Sequence, residues 1–197
     1  MVIIRRNPDG TIAEESKATT PPRHPALASA QGMSALAESG RSGFTLFSEI
    51  ATRVNNAKDK PRKLKVLQEN DTQALRQVCR AAFDTKIKWL LPEGDVPYTV
   101  NEAPLGTDHT ILSNEVKRLY LFTEGGDSTI SQTKREMLFI QLLEGLSGEE
   151  AKFLVTVVNQ KVNNEYKGFT ANLVKEAFNW DDDFMKKAPR GTSTANI

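Results

Sequence analysis

The sequence predicts an all-α protein: a bundle of about seven short helices with a long Pro-rich apolar loop and an extended N-terminal arm. Three observations predict it. From Phe44 onward apolar residues recur at helical spacing. Capping signals such as Asn70-Asp71-Thr72 and Ser147-x-x-Glu150 separate the runs. No alternating strand series and no internal repeat interrupts them. The expected division is an arm over residues 1–43, a helical domain over 44–185 and a flexible tail over 186–197.

The first helix carries Phe47, Ile50, Ala51 and Val54 at i, i+3, i+4, i+7, with Thr45 as its expected N-cap. Pro61 suits the first turn of the second, whose apolar residues are Leu64, Val66 and Leu67. Asn70-Asp71-Thr72 caps a third helix that lines one face with Leu75, Val78, Cys79 and Ala82. Residues 84–111 then break the period. Pro92, Pro97 and Pro104, with Gly94 and Gly106, exclude a regular helix through most of this stretch. It nevertheless holds Ile87, Trp89, Leu90, Leu91, Val96 and Tyr98. A loop this apolar either packs across the helices or forms a binding surface.

Helices resume near Ser113, with Val116, Leu119 and Tyr120 on a shared face and Gly125-Gly126 as the stop. Thr129 with Gln132 resembles a capping box for a long helix through Glu144. Ile130, Met137, Leu138, Ile140, Leu142 and Leu143 cover more than one stripe of it, so it is expected to be central and buried. Gly145-Leu146 reads as a stop. Ser147 with Glu150 opens a helix carrying Ala151, Leu154, Val155 and Val158. A last helix starts near Thr170 with Leu173, Val174, Ala177 and Phe178.

The arm has a different composition. It is rich in Ser, Ala, Thr, Pro and Gly, and Pro21, Pro22 and Pro25 favour extended backbone. Such a segment buries too little apolar surface to offset its own ordering entropy, so it is expected to order only against something else. At its tip Val2-Ile3-Ile4 and Thr11-Ile12 flank Asn7-Pro8-Asp9-Gly10, a hairpin signal. Two readings stand: a hairpin whose edge joins a partner's sheet, or a loose terminus with a local turn.

Charge and composition exclude several classes. Lys and Arg number 26 against 25 Asp and Glu, a net charge of +1, which argues against a strongly basic nucleic-acid coat and an acidic disordered tail. The 39% hydrophobic content supports a modest core with some sequence outside it. One Cys excludes an internal disulfide framework and a multi-Cys zinc site. No apolar run reaches membrane-spanning length, and the start Met1-Val2-Ile3-Ile4-Arg5-Arg6 lacks a secretory signal, so a soluble cytosolic origin without membrane partners is expected.

Catalytic signals are weak. His24 and His109 accompany no nucleophile or metal motif, and there is no Gly-x-Ser-x-Gly elbow, phosphate loop or His-Glu-x-x-His. No enzymatic activity, cofactor or metal is expected. Cys79 falls on an apolar helix face and reads as a small buried hydrophobe. Asp181-Asp182-Asp183 reads as solvated carboxylates pairing with Lys186 and Lys187 rather than as a cation site. Gly125-Gly126-Asp127-Ser128-Thr129 reads as a helix stop followed by a helix start, without the Lys of a phosphate loop. The basic run Arg53, Lys58, Lys60, Arg62, Lys63 and Lys65 is a candidate phosphate contact, strongest at Lys60, Arg62, Lys63 and Lys65. Its bland reading is a solvated face, and no interleaved aromatic residue suggests base stacking.

Several segments are distinctive: Asn70-Asp71-Thr72, Leu91-Pro92-Glu93-Gly94-Asp95-Val96-Pro97-Tyr98, Asn101-Glu102-Ala103-Pro104-Leu105-Gly106-Thr107, Arg118-Leu119-Tyr120-Leu121-Phe122, Arg135 to Glu144 and Lys175-Glu176-Ala177-Phe178. Together they resemble a family of small, functionally unassigned proteins encoded by T4-like tailed bacteriophages, including marine phages and cyanophages. The resemblance spans about Phe47 to Phe184, implies a phage origin and carries over no catalytic or ligand residues.

Two functional expectations follow. The first is a non-catalytic structural or assembly protein of the virion, assembled in the host cytoplasm. It docks on capsid or tail proteins through its body and arm, with Val2, Ile3, Ile4, Trp89, Leu91 and Tyr98 as candidate contacts. The alternative is an intracellular accessory factor that binds replication or transcription machinery, or nucleic acid, through the basic run.

Overall fold

A computed structural model describes residues 45–102 and 110–187. The chain divides into two units, Met1–Ser42 and Gly43–Ile197, and all described residues belong to the second. The expected arm with Val2, Ile3 and Ile4, both histidines and the tail from residue 188 lie outside the described residues.

Every regular element among the described residues is helical, as the sequence predicts. The order is α1 (Phe47–Asn56), α2 (Lys60–Glu69), α3 (Gln73–Phe83), α4 (Leu112–Glu115), a 3-10 helix (Val116–Phe122), α5 (Gln132–Gly145), α6 (Gly148–Val158), α7 (Val162–Glu165) and α8 (Ala171–Phe178).

Local chemistry sets several of the boundaries. Asp59 accepts the Arg62 N–H at 3.0 Å, and Pro61 lies in the first turn of α2. The Thr72 hydroxyl accepts the Leu75 N–H at 3.1 Å and opens α3. Ser147 and Thr170 cap α6 and α8 in the same way. The apolar faces read for α1 and α3 are buried throughout: Phe47, Ile50, Ala51 and Val54, then Leu75, Val78, Cys79 and Ala82.

The core forms around α6, which packs against α1, α3, α5 and α7, while α2 packs between α1 and α8. Here the architecture departs from the sequence reading, which placed α5 at the centre. On α5 only Arg135, Phe139, Leu142 and Leu143 are buried, and Met137 is 56% exposed. The breadth of its apolar surface has another cause. One stripe faces the core and a second lies under the Pro-rich loop.

Three further boundaries are corrected. Thr45 does not cap α1, which starts at Phe47 after Leu46; the distant Glu150 carboxylate accepts the Phe47 N–H instead. Ser131, not Thr129, is the N-cap of α5. Thr129 folds onto Asp127, whose carboxylate accepts its N–H at 2.8 Å and its hydroxyl at 2.6 Å. The expected helix from Ser113 becomes one α-turn followed by a 3-10 helix. Its buried residues Val116, Leu119 and Phe122 then repeat every third position, and Tyr120 is turned outward, 56% exposed.

After α8 the chain turns through Asn179 (φ 55°) and packs Phe178, Trp180 and Phe184 together, with ring centroids 5.2 and 5.8 Å apart. Trp180 pairs with Lys186, and the Lys187 N–H donates to the Asn179 carbonyl at 2.9 Å. Backbone pairing therefore continues through Lys187, past the start of the expected tail. Asp181 does not pair with Lys186 or Lys187; it accepts the N–H groups of Asp183 and Met185 at 2.9 and 3.0 Å. Asp182 meets Lys175 at 3.4 Å and Asp183 meets Lys86.

Candidate functional site

The loop between α3 and α4 runs alongside α5 from its start to its end. The Gln132 side chain donates to the Leu90 carbonyl at 2.9 Å. Leu91, Pro92, Val96 and Pro97 then border an apolar crevice with Glu136, Phe139 and Ile140. Glu144 accepts the Thr99 N–H at 3.1 Å, and Val100 lies against Gly148 at the start of α6. Of the two readings the sequence left open, packing across the helices describes most of this loop.

That packing decides where the candidate contact residues point. Leu91 is buried in the core, 9% exposed, and so is not free for a partner. Trp89 and Tyr98 are half-buried against the same core, and burial raises the Tyr98 hydroxyl pKa above its ordinary value. The outward apolar side chains are others: Leu90 and Val100 in the loop, Tyr120 on the 3-10 helix and Met137 on α5.

Side chains from distant helices fix the irregular backbone. The Asn159 carboxamide accepts the Gly94 N–H and donates to the Gly94 carbonyl, both at 3.0 Å. The Gln160 side chain donates to the Ile87 carbonyl at 3.1 Å. Arg135, buried on α5, donates from Nε to the Leu121 carbonyl at 2.9 Å and from its terminal nitrogens to the Asp127 carbonyl and the Gln132 side chain at 3.1 Å. Glu150 is 1% exposed. One of its oxygens accepts the Phe47 N–H at 3.1 Å and the other the Leu112 N–H at 2.8 Å. It thus serves the first turns of α1 and α4. Ser-x-x-Glu signalled Glu150 as a local cap, but its carboxylate bridges two distant segments. Arg135 lay at i−4 from Phe139 on the buried stripe, and that spacing was its only sequence signal.

Carboxylates offset much of the basic run. Lys60 pairs with Glu176 at 2.5 Å, Arg62 with Asp59 at 3.4 Å and Lys65 with Glu69 at 3.6 Å. The Lys63 ammonium is tucked beside Gly168, close enough that a Cβ there would meet it at 2.3 Å. Three of the four residues thus sit in solvent-exposed ion pairs, and Lys63 has no carboxylate partner among the described residues. The turn at Gly125-Gly126 is likewise internally occupied. Asp127 takes the position of an anion by accepting from Thr129, and a Cβ on Gly126 would lie 1.9 Å from the Tyr120 carbonyl oxygen. Cys79 is fully buried, and burial pushes its thiol pKa far up. Among the described residues no three His, Cys, Asp or Glu side chains are grouped as a metal site requires, and no helix is long and apolar enough to cross a membrane.

Fold and surface define a small helical protein whose described loop residues are hydrogen-bonded to side chains on and just after its helices. The chain belongs to a family of unknown function, DUF6433, which matches residues 50–164, more than half of its length. No curated protein and no solved structure matches it.

Proposed function

We propose that this chain is a non-catalytic bacteriophage structural or assembly protein that docks on other phage proteins through its helical body and N-terminal arm. One observation carries the docking reading: the uneven distribution of exposed apolar side chains. Leu90, Val100, Tyr120 and Met137 all belong to the loop, the 3-10 helix and α5. Elsewhere among the described residues only Met185 is a large exposed hydrophobe. Single exposed apolar residues are ordinary and contiguous apolar patches mark protein contacts; the grouping of four of the five on these neighbouring elements supports a contact there. The resemblance to small proteins of T4-like phages supports the phage setting.

The test is quantitative mass spectrometry of purified particles beside infected-cell lysate. A fixed ratio to capsid or tail proteins is expected. Presence in lysate with absence from particles overturns the virion assignment. Replacing Leu90, Tyr120 and Met137 together by Lys tests the surface. The variant should keep the parent melting temperature and lose incorporation. Removal of residues 1–43 is expected to have the same outcome, and normal incorporation of that truncation removes the arm from the proposal.

A further inference from the structure

Lys88–Leu90 and Phe122–Glu124 form a short antiparallel pair. The Leu90 N–H donates to the Phe122 carbonyl and the Glu124 N–H to the Lys88 carbonyl, both at 2.8 Å. In this arrangement the two facing residues, Trp89 and Thr123, turn their own N–H and C=O outward. The outward groups of Thr123 are satisfied. Its N–H reaches the Tyr120 carbonyl at 3.3 Å, and its carbonyl accepts from Gly126 at 3.1 Å. No described residue meets the N–H or the C=O of Trp89. Its indole Nε1 is also buried without a partner among the described residues.

Trp89 lines a groove of about 260 Å³ between the loop and the C-terminal end of α6, bordered by Thr85, Ile87, Glu93, Asn159 and Gln160. We infer that this groove receives an extended peptide segment of another polypeptide, which adds as a strand along Trp89 and exchanges a pair of hydrogen bonds with its backbone. The inference rests on the docking reading above and names the chemistry of the partner. An outward N–H and C=O on one extended residue call for an acceptor and a donor side by side, which another extended peptide presents. Asn159, at the border of the groove, already makes such an exchange with the neighbouring backbone. The Asn159 carboxamide satisfies the N–H and C=O of Gly94 together, as a peptide group would. The groove lies just below the usual size of cofactor pockets, so it suits a few residues of chain rather than a large ligand.

The experiment uses the 15N-labelled full-length chain. In the free protein the Trp89 amide should exchange with solvent at least about tenfold faster than the Leu90 amide, which is bonded to Phe122. The probe is the capped peptide Thr-Val-Thr-Val-Thr, beside a counterpart N-methylated at its three central residues. At millimolar concentration the unmodified peptide should move the Trp89 amide proton downfield and slow its exchange at least about tenfold. The methylated peptide should do neither. Thr85→Arg, at the exposed border of the groove, should weaken the unmodified peptide at least about tenfold without changing the melting temperature. Equal protection of Trp89 and Leu90 in the free protein overturns the inference. So does an equal effect of the two peptides, or a Trp89 amide that does not respond. Those results leave the particle measurements untouched, so loss of the strand mode is distinguishable from loss of docking itself.

Discussion

Residues 59–84 and residues 85–124 satisfy their backbones by different means. In the first stretch helix starts are served from within three residues, by Asp59 and by Thr72. In the second, which holds the loop and the 3-10 helix, the partners come from α5, α6 and the residues just after α6. Gln132 reaches Leu90, Glu144 reaches Thr99, Arg135 reaches Leu121, and Asn159 and Gln160 reach Gly94 and Ile87. The local mode gives regular helices whose exposed charges pair with one another. The distant mode gives an irregular segment that is ordered only while the helices around it are in place. Apart from Met185, the large exposed apolar residues described belong to the second region and its α5 support, so the proposed docking surface is a shape imposed by the bundle.

The comparison predicts that removing a distant partner costs more than removing a local cap. The largest effect is expected at Glu150. Glu150→Ala leaves the buried N–H groups of Phe47 and Leu112 without acceptors and should destabilise the chain by about 2–5 kcal/mol, read by urea unfolding. Glu150→Gln should lose about half as much, since its carboxamide oxygen still serves one N–H while its amino group faces the other. Equal losses for the two substitutions would show that the side chain matters through packing rather than through its paired acceptors.

Arg135→Met comes next. It preserves the buried stem and strips two carbonyls, Leu121 and Asp127, of their donors, at an expected cost of about 2–3 kcal/mol. Amide exchange should rise over residues 116–129 before it rises in α3; uniform acceleration would contradict a regional role. Asn159→Ala removes both bonds to Gly94 and should cost about 1–2 kcal/mol, with the Gly94 amide losing its protection.

The same division explains what the sequence discloses. Local signals carry their meaning on their face. Thr72, Ser147 and Thr170 cap where their spacing says, and the stripes of α1 and α3 are buried residue for residue. Tyr120 leaves its expected face because the run starting at Leu112 changes from period 3.6 to period 3 after one turn, and nothing in its sequence signals the change. The apolar pattern of α5 does not reveal its position, because a helix covered on a second side by a loop has the same broad pattern as a helix buried among helices. The loop's composition marked it as more than a linker, but not which side chains turn inward. Leu91 faces the core and Leu90 faces solvent, a choice made by the pairing with Phe122. Glu150 and Arg135 reach partners 8 to 103 residues away along the chain, beyond any helical spacing rule.

In the locally built region the expected effects are smaller. Thr72→Ala should cost about 1 kcal/mol through the lost cap of α3, and Thr72→Ser should restore it. A loss as large as that of Glu150→Ala would erase the distinction between the two modes.

The smallest effect concerns a pair beside that cap. Arg76 holds both Asp71 oxygens, at 2.6 and 2.5 Å, and its guanidinium lies 4.8 Å from the centre of the Phe178 ring. The hydrogen bonds from Arg76 hold the Asp71 carboxyl below its usual range, while partial burial works against them. A depressed carboxylate contributes stability that is fully present above its unfolded pKa of about 3.9 and is lost as pH falls through the lower folded value. The pair is partly solvated, which holds its contribution below about 1 kcal/mol at neutral pH. Asp71→Asn should therefore lower stability slightly at pH 7 and flatten the decline below about pH 4. Melting curves of the two proteins should converge as the pH drops. If they stay parallel to pH 2, the pair contributes nothing that depends on ionisation, and the α3 start is held by the Thr72 cap and its packing alone.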